Sequence, residues 1–314
     1  MANPEAKFSD PRPILVGLDG SENAETALWW AVEIAYNSER ALHILSSYPL
    51  PVIVGLGASA GYMPPVLGSE EVREADTEHR SLLDKAKARV LAKRPGMRVE
   101  TFLEQGSPVV ALLRESQNCS MIVLGTRGVG GAHALLMGST SYSIAHRAKC
   151  PVVLVPESSE LTERGKVIVG VDGSTNAMNA ANWAADLANA LNRPLEIVTA
   201  WHYPYAVMSP EMGPISGPDI EELRLAMLRD AKSLVGRVRD RIIADHTIDG
   251  LSDAPAIEVN IYEGSSTDSL IDSSQPCDVV VVGSRSHSVL ASVLLGSTAL
   301  GLAHRSKGPV VIVH

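Results

Sequence analysis

The chain repeats itself once over its 314 residues. Residues 16–31 read VGLDGSENAETALWWA and residues 169–184 read VGVDGSTNAMNAANWA, with ten of sixteen positions identical. Residues 137–155 (MGSTSYSIAHRAKCPVVLV) match residues 295–313 (LGSTALGLAHRSKGPVVIV) in the same order. The two matches are offset by 153 and 158 residues, far more than a solenoid unit, so each copy is expected to be a complete domain.

The seam between the copies is the polar segment 156–165, which reads PESSELTERG. We therefore predict two domains, at residues 1–157 and 158–314, each close to a common domain size. Hydrophobic residues make up 45% of the chain and charged residues 20%, so both domains have enough apolar material for a buried core.

Each copy alternates apolar strands with helices. This order predicts right-handed βαβ units, and hence an α/β fold in which each domain is a five-stranded parallel sheet with helices on both faces. The predicted strands are residues 14–18, 41–47, 98–104, 121–124 and 152–155 in the first copy, and 167–171, 195–200, 257–262, 279–282 and 310–313 in the second. The predicted helices of the first copy are residues 21–36, 70–93, 108–116 and 139–147, with a Gly- and Pro-rich loop at 48–68.

Charge and hydropathy narrow the range of partners. The formal net charge of -9 argues against a nucleic-acid backbone, because binding one needs clustered Lys and Arg. The first residues lack the apolar core of a signal peptide, and no run of about 18 apolar residues could span a bilayer. We expect no nucleic acid and no membrane as partners, and a cytoplasmic location. The histidines show no spacing typical of a metal site.

The three cysteines are Cys119, Cys150 and Cys277. They show no CxxC spacing, and their odd number argues against a disulfide framework. Cys119 and Cys277 fall at equivalent points of the two copies, just before a strand. We interpret the cysteines as small buried residues, with redox sensing as the alternative.

Two features of the first domain follow predicted strands, where ligands bind in open parallel sheets. Asp19 follows the first strand, and the segment 125–128 (GTRG) follows the fourth, with 138–140 (GST) nine residues later. The glycines are expected to take positive φ and to let backbone N–H groups approach a phosphate. The helix that begins at 138–140 adds free N–H groups and its dipole. The candidate residues are Asp19, Gly125, Gly128, Gly138, Ser139 and Thr140.

These features also have plain structural explanations. The glycines could form only a tight turn, Ser139 could only cap a helix, and Asp19 could only satisfy backbone donors of its turn. The convergence of two such elements at one strand end, repeated in the second copy, favours a binding site. Arg127, inside the glycine segment, either faces the phosphates or extends into solvent.

With these features, the sequence resembles the universal stress protein family, in particular its tandem-domain members, over nearly the whole chain. The family pattern Gly-x2-Gly-x9-Gly-(Ser/Thr) is matched by the glycine segments above, and its V-G-x-D-x-S start is matched at residues 16–21. The resemblance implies a Rossmann-like fold of the adenine nucleotide alpha hydrolase-like type, with ATP in the pocket and Mg²⁺ or Mn²⁺ on its phosphates. It also implies that Asp19 lies near the ribose or the metal-bound phosphates, and that the backbone near Ser47 contacts the adenine.

The second domain departs from the family pattern at one position. It reads GSRS at 283–286 and GST at 296–298, so serine replaces the second glycine. If that position requires positive φ, Ser286 is strained there, and its Cβ obstructs a close backbone approach. We still expect nucleotide binding in this domain. Its candidate residues are Asp172, Ala200, Gly283, Arg285, Ser286, Gly296, Ser297 and Thr298.

The predicted function is that of an ATP-binding regulatory or stress-response module, whose nucleotide state alters its conformation or its partners. One alternative is an enzyme, either a slow ATPase or a nucleotidyl-transfer enzyme; another is a scaffold that binds no nucleotide. No catalytic residue is assigned, because the sequence has no evident general base and no Gly-x4-Gly-Lys-(Ser/Thr) loop. Residues 57–61 (GASAG) match a nucleophile elbow, but Pro64 and Pro65 exclude the required helix, so a loop that could cover the nucleotide is predicted.

The last strand of each copy, residues 151–155 and 309–313, is short and apolar and is expected at a sheet edge. The family resemblance implies that this strand pairs across a two-fold axis. We therefore predict an internal pseudo-dimer of the two halves, and leave open whether two whole chains associate.

Overall fold

The computed structural model describes residues 8, 10–48, 69–128, 137–201, 218–249, 254–285 and 295–314. The first domain contains β1 (Ile14–Gly17), α1 (Glu22–Asn37), β2 (Leu42–Tyr48), α2 (Ser69–Lys93), β3 (Val99–Gln105), α3 (Pro108–Glu115), β4 (Met121–Gly125), α4 (Ser139–Arg147) and β5 (Val152–Val155). The second contains β6 (Val167–Gly170), α5 (Thr175–Ala190), β7 (Leu195–Trp201), α6 (Pro218–Asp249), β8 (Ile257–Glu263), α7 (Ser266–Asp272), β9 (Val279–Gly283), α8 (Ser297–Arg305) and β10 (Val310–Val313). Every predicted strand is present, with its ends shifted by one or two residues at most.

The strands form one sheet in the order β3-β2-β1-β4-β5-β10-β9-β6-β7-β8. Neighbouring strands within each half are parallel. In each half, the first strand lies between the second and the fourth, so the connections that leave it run to both sides. The predicted α/β fold, with five parallel strands in each domain, is confirmed.

The two halves join through their last strands. β5 and β10 pair antiparallel, with Val152 opposite Ile312 and Leu154 opposite Val310, and all four side chains are buried. Each of these strands is the edge of its own half, and their pairing satisfies backbone groups that an exposed edge would leave open. The predicted pairing of the two halves within one chain is therefore confirmed, and the two sheets are continuous.

Helices cover both faces of this sheet. One face packs against α1, α2, α5 and α6, and its buried cluster extends from the first domain into the second, including Trp30 and Trp183. The other face packs against α3, α4, α7 and α8 and is likewise continuous across both domains. The central strands β1, β4, β5, β6, β9 and β10 are continuous apolar runs because both faces are covered, whereas the outermost strands β3 and β8 include exposed charged residues.

Two of the three cysteines are buried as predicted. Cys119 and Cys150 are each 2% exposed, whereas Cys277 is partly exposed, so the interpretation of all three as buried residues is wrong for Cys277. The loop 49–68 with its GASAG motif at 57–61 lies outside the described residues. The domain boundary at 157/158 stays a prediction.

Candidate functional site

The strand order reverses at the same place in both domains. In the first domain the connections from β1 and β4 diverge, and in the second those from β6 and β9. Such a switch point leaves a crevice beyond the carboxyl ends of the two strands, where open α/β sheets bind ligands. Asp19 follows β1 and the glycine segment follows β4, so both predicted features of the first domain lie at this crevice.

A cavity of ≈ 260 Å³ occupies this position in the second domain. Its volume is slightly below the roughly 300 Å³ at which small-molecule pockets begin. It lies between the ends of β6, β7 and β9 and the first turns of α7 and α8. Seven of the eight candidate residues of this domain line it: Asp172, Ala200, Gly283, Arg285, Gly296, Ser297 and Thr298. The eighth, Ser286, lies outside the described residues.

The cavity has an apolar part and a polar part. Its apolar wall consists of Val171, Ala177, Val198, Leu270, Val282 and Ala299. The polar part consists of the carboxylate of Asp172, the guanidinium of Arg285 and the hydroxyls of Ser297 and Thr298. An apolar body with a few polar groups at one end is the usual composition of a pocket for an amphiphilic small molecule.

The Asp-Gly-Ser tripeptide forms the same turn after the first strand of each domain. Gly20 and Gly173 have φ values of 84° and 85°, which an L side chain rarely adopts. In the first domain, Asp19 Oδ1 accepts hydrogen bonds from the backbone N–H of Ser21 at 3.0 Å and from its hydroxyl at 2.6 Å. The turn therefore fixes the carboxylate at the strand end. One oxygen does satisfy turn donors, as the structural explanation of Asp19 proposed.

The two parts of the glycine pattern meet in space. The N–H of Gly138 donates to the carbonyl of Thr126 at 2.7 Å, and the hydroxyl of Ser141 donates to the carbonyl of Gly125 at 2.7 Å. In the second domain the N–H of Gly296 donates to the carbonyl of Ser284 at 2.9 Å. These bonds hold the start of α4 or α8 against the end of β4 or β9, so the segments 125–128 and 138–140 form one surface in the first domain, and 283–285 and 296–298 form its equivalent in the second. We call this surface the cradle.

The helices of the cradle begin differently from the helices that follow the first strands. Ser21 and Ser174 cap α1 and α5, each accepting a hydrogen bond from a backbone N–H at 3.1 Å. At α4 and α8 the N-cap residues are Gly138 and Gly296, and among the described residues no N-cap side chain bonds to the first turn. The N–H groups of these two turns therefore remain available to an anion. Ser139 is the first residue of α4, not its cap.

One of the two predicted reasons for glycine in the cradle, a positive φ, is wrong, whereas the close approach of backbone N–H groups to a phosphate stays a prediction. Gly125 and Gly128 have backbone angles outside the left-handed region, so neither is glycine because of a positive φ. A Cβ on Gly125 would lie 2.9 Å from Cγ of Asn23 and 3.0 Å from its backbone carbon, so glycine here lets α1 approach β4. A Cβ on Gly128 would collide with Oδ2 of Asp19. The strain argument for a serine at the second glycine position therefore loses its premise, because Gly128 has no positive φ; Ser286 itself lies outside the described residues.

Asn23 is a residue that the sequence reasoning missed. It is 4% exposed, and its amide donates to the hydroxyl of Thr126 at 3.4 Å, joining α1 to the glycine segment. The signal available was its presence in both copies, since Asn176 occupies the equivalent position in the repeat. Asn176 lies as close to Gly283 as Asn23 does to Gly125: a Cβ on Gly283 would be 2.9 Å from the backbone carbon of Asn176.

The remaining candidates occupy the positions expected from their place in the repeat. Ala200, near the end of β7, lines the cavity of the second domain, and Ser47 is its equivalent near the end of β2. Ser47 is half-buried and lies next to Glu104 of β3 in the strand register. Arg127 is half-buried, whereas Arg285 is exposed and lines the cavity.

The charge state of His314 is set at the joint between the two halves. Burial, together with the charges of Arg285, His146 and Lys149, lowers the pKa of His314, which follows β10, to about 4. His314 is therefore neutral at pH 7. Lys149 belongs to the first domain and Arg285 to the second, so basic side chains from both halves act on His314 at the joint between them.

The described residues contain neither a cluster of metal-ligating side chains nor a helix able to cross a membrane. In that part of the chain, no group of three or more His, Cys, Asp or Glu side chains is arranged to hold a metal ion. Every helix there is too short or too polar to span a bilayer.

Comparison with known proteins gives one consistent result. The model of the universal stress protein family matches the chain twice, over residues 11–156 and 163–314. A universal stress protein of Mycolicibacterium smegmatis is 28% identical over 305 residues, with 96% of both chains covered. Universal stress protein Rv2005c of Mycobacterium tuberculosis is 29% identical over 318 residues, with 97% of this chain and 99% of the relative covered.

A solved structure shares the whole fold. A universal stress protein from Archaeoglobus fulgidus superposes with a TM-score of 0.59 at 21% identity, covering 97% of this chain and 98% of that one. The two successive family matches agree with the duplication in the sequence and with the two halves of the sheet. The chain therefore belongs to the universal stress protein family, as a member with two domains in tandem.

Proposed function

We propose that this protein binds ATP at the switch point of each domain and acts as a nucleotide-dependent regulatory module. The cavity of the second domain is the observation that carries the proposal. It lies where open α/β sheets bind ligands, and the residues chosen from the glycine pattern line it. The first domain has the same turn, the same contact between strand end and helix start, and the complete glycine pattern.

The composition of the cavity fits the parts of a nucleotide. The apolar wall formed by Val171, Val198 and Leu270 suits the flat base and the sugar carbons. The uncapped first turn of α8, with Ser297 and Thr298, suits the phosphates, because its N–H groups and helix dipole favour negative charge. Ala200, at the end of β7, is placed to offer backbone groups to the base.

The aspartates are the one part of the site that repels a phosphate. A carboxylate at such a position either hydrogen-bonds the ribose hydroxyls or holds a divalent cation that joins it to the phosphates. We propose these roles for Asp19 and Asp172, with Mg²⁺ or Mn²⁺ as the cation. The metal would supply charge neutralisation; the protein would supply the backbone donors.

The test is isothermal titration calorimetry of the full chain with Mg-ATP and with Mg-GTP. We expect two ATP sites for each chain and weaker binding of GTP, with mass spectrometry of the denatured protein identifying any nucleotide that co-purifies. No heat, together with no rise in melting temperature at about 1 mM ATP, would overturn the proposal, because any ligand bound only by the native state stabilises it. Turnover above about 1 s⁻¹ would instead favour an enzyme.

The variant Gly128→Ser tests the role of the second glycine. Its side chain would displace Oδ2 of Asp19, so we expect ATP affinity at the first site to fall by about tenfold, a change of about 1.4 kcal/mol. The melting temperature should change little, because Asp19 and Gly128 are both exposed. The reciprocal variant Ser286→Gly is expected to strengthen the second site. Equal affinities in Gly128→Ser and the native protein would show that Asp19 does not contact the ligand.

A further inference from the structure

We propose that Cys119 and Cys150 form a dithiol that hydrogen peroxide converts into a disulfide in the folded protein. The two Sγ atoms are 3.6 Å apart, although 31 residues separate the cysteines in the sequence. Both side chains are 2% exposed, and they lie just before β4 and β5, away from the cradle at the opposite ends of these strands. The proposal does not depend on nucleotide binding.

The strands that follow the two cysteines lie side by side, at a spacing that a disulfide can span. β4 and β5 are adjacent parallel strands, with Ile122 opposite Val152, and strands pair about 4.8 Å apart, within the Cα separation of roughly 4.4–6.8 Å seen for disulfides. One hydrogen bond lies on each side of the cysteine pair. The N–H of Ile122 donates to the carbonyl of Pro151 at 3.0 Å, and the N–H of Lys149 donates to the hydroxyl of Ser116 at 3.3 Å.

Closure therefore requires side-chain movement more than backbone movement. An S–S bond is about 2.05 Å long, so the sulfurs must approach by about 1.5 Å. The loop that the bond closes runs from residue 119 to residue 150 and contains both parts of the first-domain cradle. The disulfide would thus tie together the two ends of that segment.

The chemistry balances with peroxide as the only oxidant. One thiol reduces hydrogen peroxide and becomes a sulfenic acid, releasing one water; the second thiol attacks that sulfur, forms the S–S bond and releases a second water. The hydrogen bond with Cys150 and burial raise the pKa of Cys119, and the charge of Arg12 opposes this rise. The thiolate is therefore scarce, and we expect the reaction to need hours of exposure.

The second domain supplies an internal control. Cys277 is the counterpart of Cys119, but the position equivalent to Cys150 is Gly308, so the second copy has a single thiol. Cys277 is also the more exposed of the two counterparts. A reaction that followed exposure alone would modify Cys277 first, whereas the proposed cross-link leaves its thiol free.

The experiment treats the full chain with hydrogen peroxide, then denatures it, blocks free thiols and maps the peptides by mass spectrometry. We expect a cross-link between Cys119 and Cys150, with the number of free thiols falling from three to one. The variant Cys277→Ser should keep the cross-link, and Cys119→Ser and Cys150→Ser should lose it. The same oxidation in guanidinium should give mixed pairings, because the fold no longer selects the partners.

Three results would overturn the proposal. The first is three free thiols after a day of exposure at a peroxide concentration that fully oxidises dithiothreitol. The second is a cross-link in the folded protein that includes Cys277. The third is oxidation of Cys119 or Cys150 to a sulfinic acid without cross-linking. The native protein and Cys277→Ser decide the question even if the other two variants fail to fold.

Discussion

Ser139→Asp and Ser297→Asp are each expected to abolish one ATP site. Both serines are exposed first residues of helices whose first turns have no side-chain cap. A carboxylate there occupies the anion position and repels the phosphates; two charges about 4 Å apart near a surface interact by about 4 kcal/mol, enough for a loss of at least about 100-fold. Titration calorimetry should count one site per chain in each variant and none in the double variant.

The matched controls are Ser139→Asn and Ser297→Asn. Asparagine has nearly the shape of aspartate without the charge, so we expect affinity to fall by less than about fivefold, a change below about 1 kcal/mol. The aspartate variants should melt no earlier than the native protein, because a negative charge at the start of a helix stabilises it by about 0.3–1 kcal/mol. Retained binding of two ATP molecules by the double aspartate variant would show that the phosphates lie elsewhere.

Gly125→Ala is expected to lower the melting temperature by about 5 °C, because overpacking a core contact costs about 1–3 kcal/mol. The added methyl group would lie 3.0 Å from the backbone carbon of Asn23, so α1 must move away from β4. Gly283→Ala should have a similar effect, since its Cβ would lie 2.9 Å from the backbone carbon of Asn176. Differential scanning calorimetry measures both shifts.

Gly236→Ala is the control for this pair of variants. Gly236 lies within α6, and no neighbouring atom lies within 4 Å of the position its Cβ would take. Alanine should therefore stabilise the helix by about 0.5–1 kcal/mol, and the melting temperature should rise slightly. An unchanged melting temperature in Gly125→Ala would mean that the α1–β4 contact relaxes at little cost.

The sequence was sufficient to predict the architecture because each strand is indicated by a local pattern, and that pattern occurs in both copies. Continuous apolar runs at residues 14–18 and 167–171 indicate strands buried on both faces, and the alternation with helices then limits the topology. The positions of Asp19 and the glycine segments at strand ends follow from the same alternation. Pairing of the last strands was inferred from the family, since nothing in a four-residue apolar run specifies its neighbour.

Contacts between distant residues were not predictable in this way. Glycine at position 125 was attributed to a local backbone conformation, whereas its cause is Asn23, about a hundred residues earlier in the chain. The pairing of Cys119 with Cys150 was missed for a similar reason. Comparison of the two copies matched Cys119 with Cys277, while the contact depends on which strands are adjacent in the sheet. The turns of Gly20 and Gly173, by contrast, could be predicted locally from their Asp-Gly-Ser sequences.

The antiparallel pairing of β5 and β10 determines how the two sites face the surroundings. All strands within a half run in the same direction, and the antiparallel pair reverses that direction between the halves. The rim of the sheet where the strands of one half end is therefore continuous with the rim where the strands of the other half begin. The two crevices therefore open in opposite directions, and a partner covering one leaves the other accessible. The cysteine pair of the first half shares its rim with the crevice of the second, so oxidation on that rim takes place on the side of the neighbouring domain's ligand.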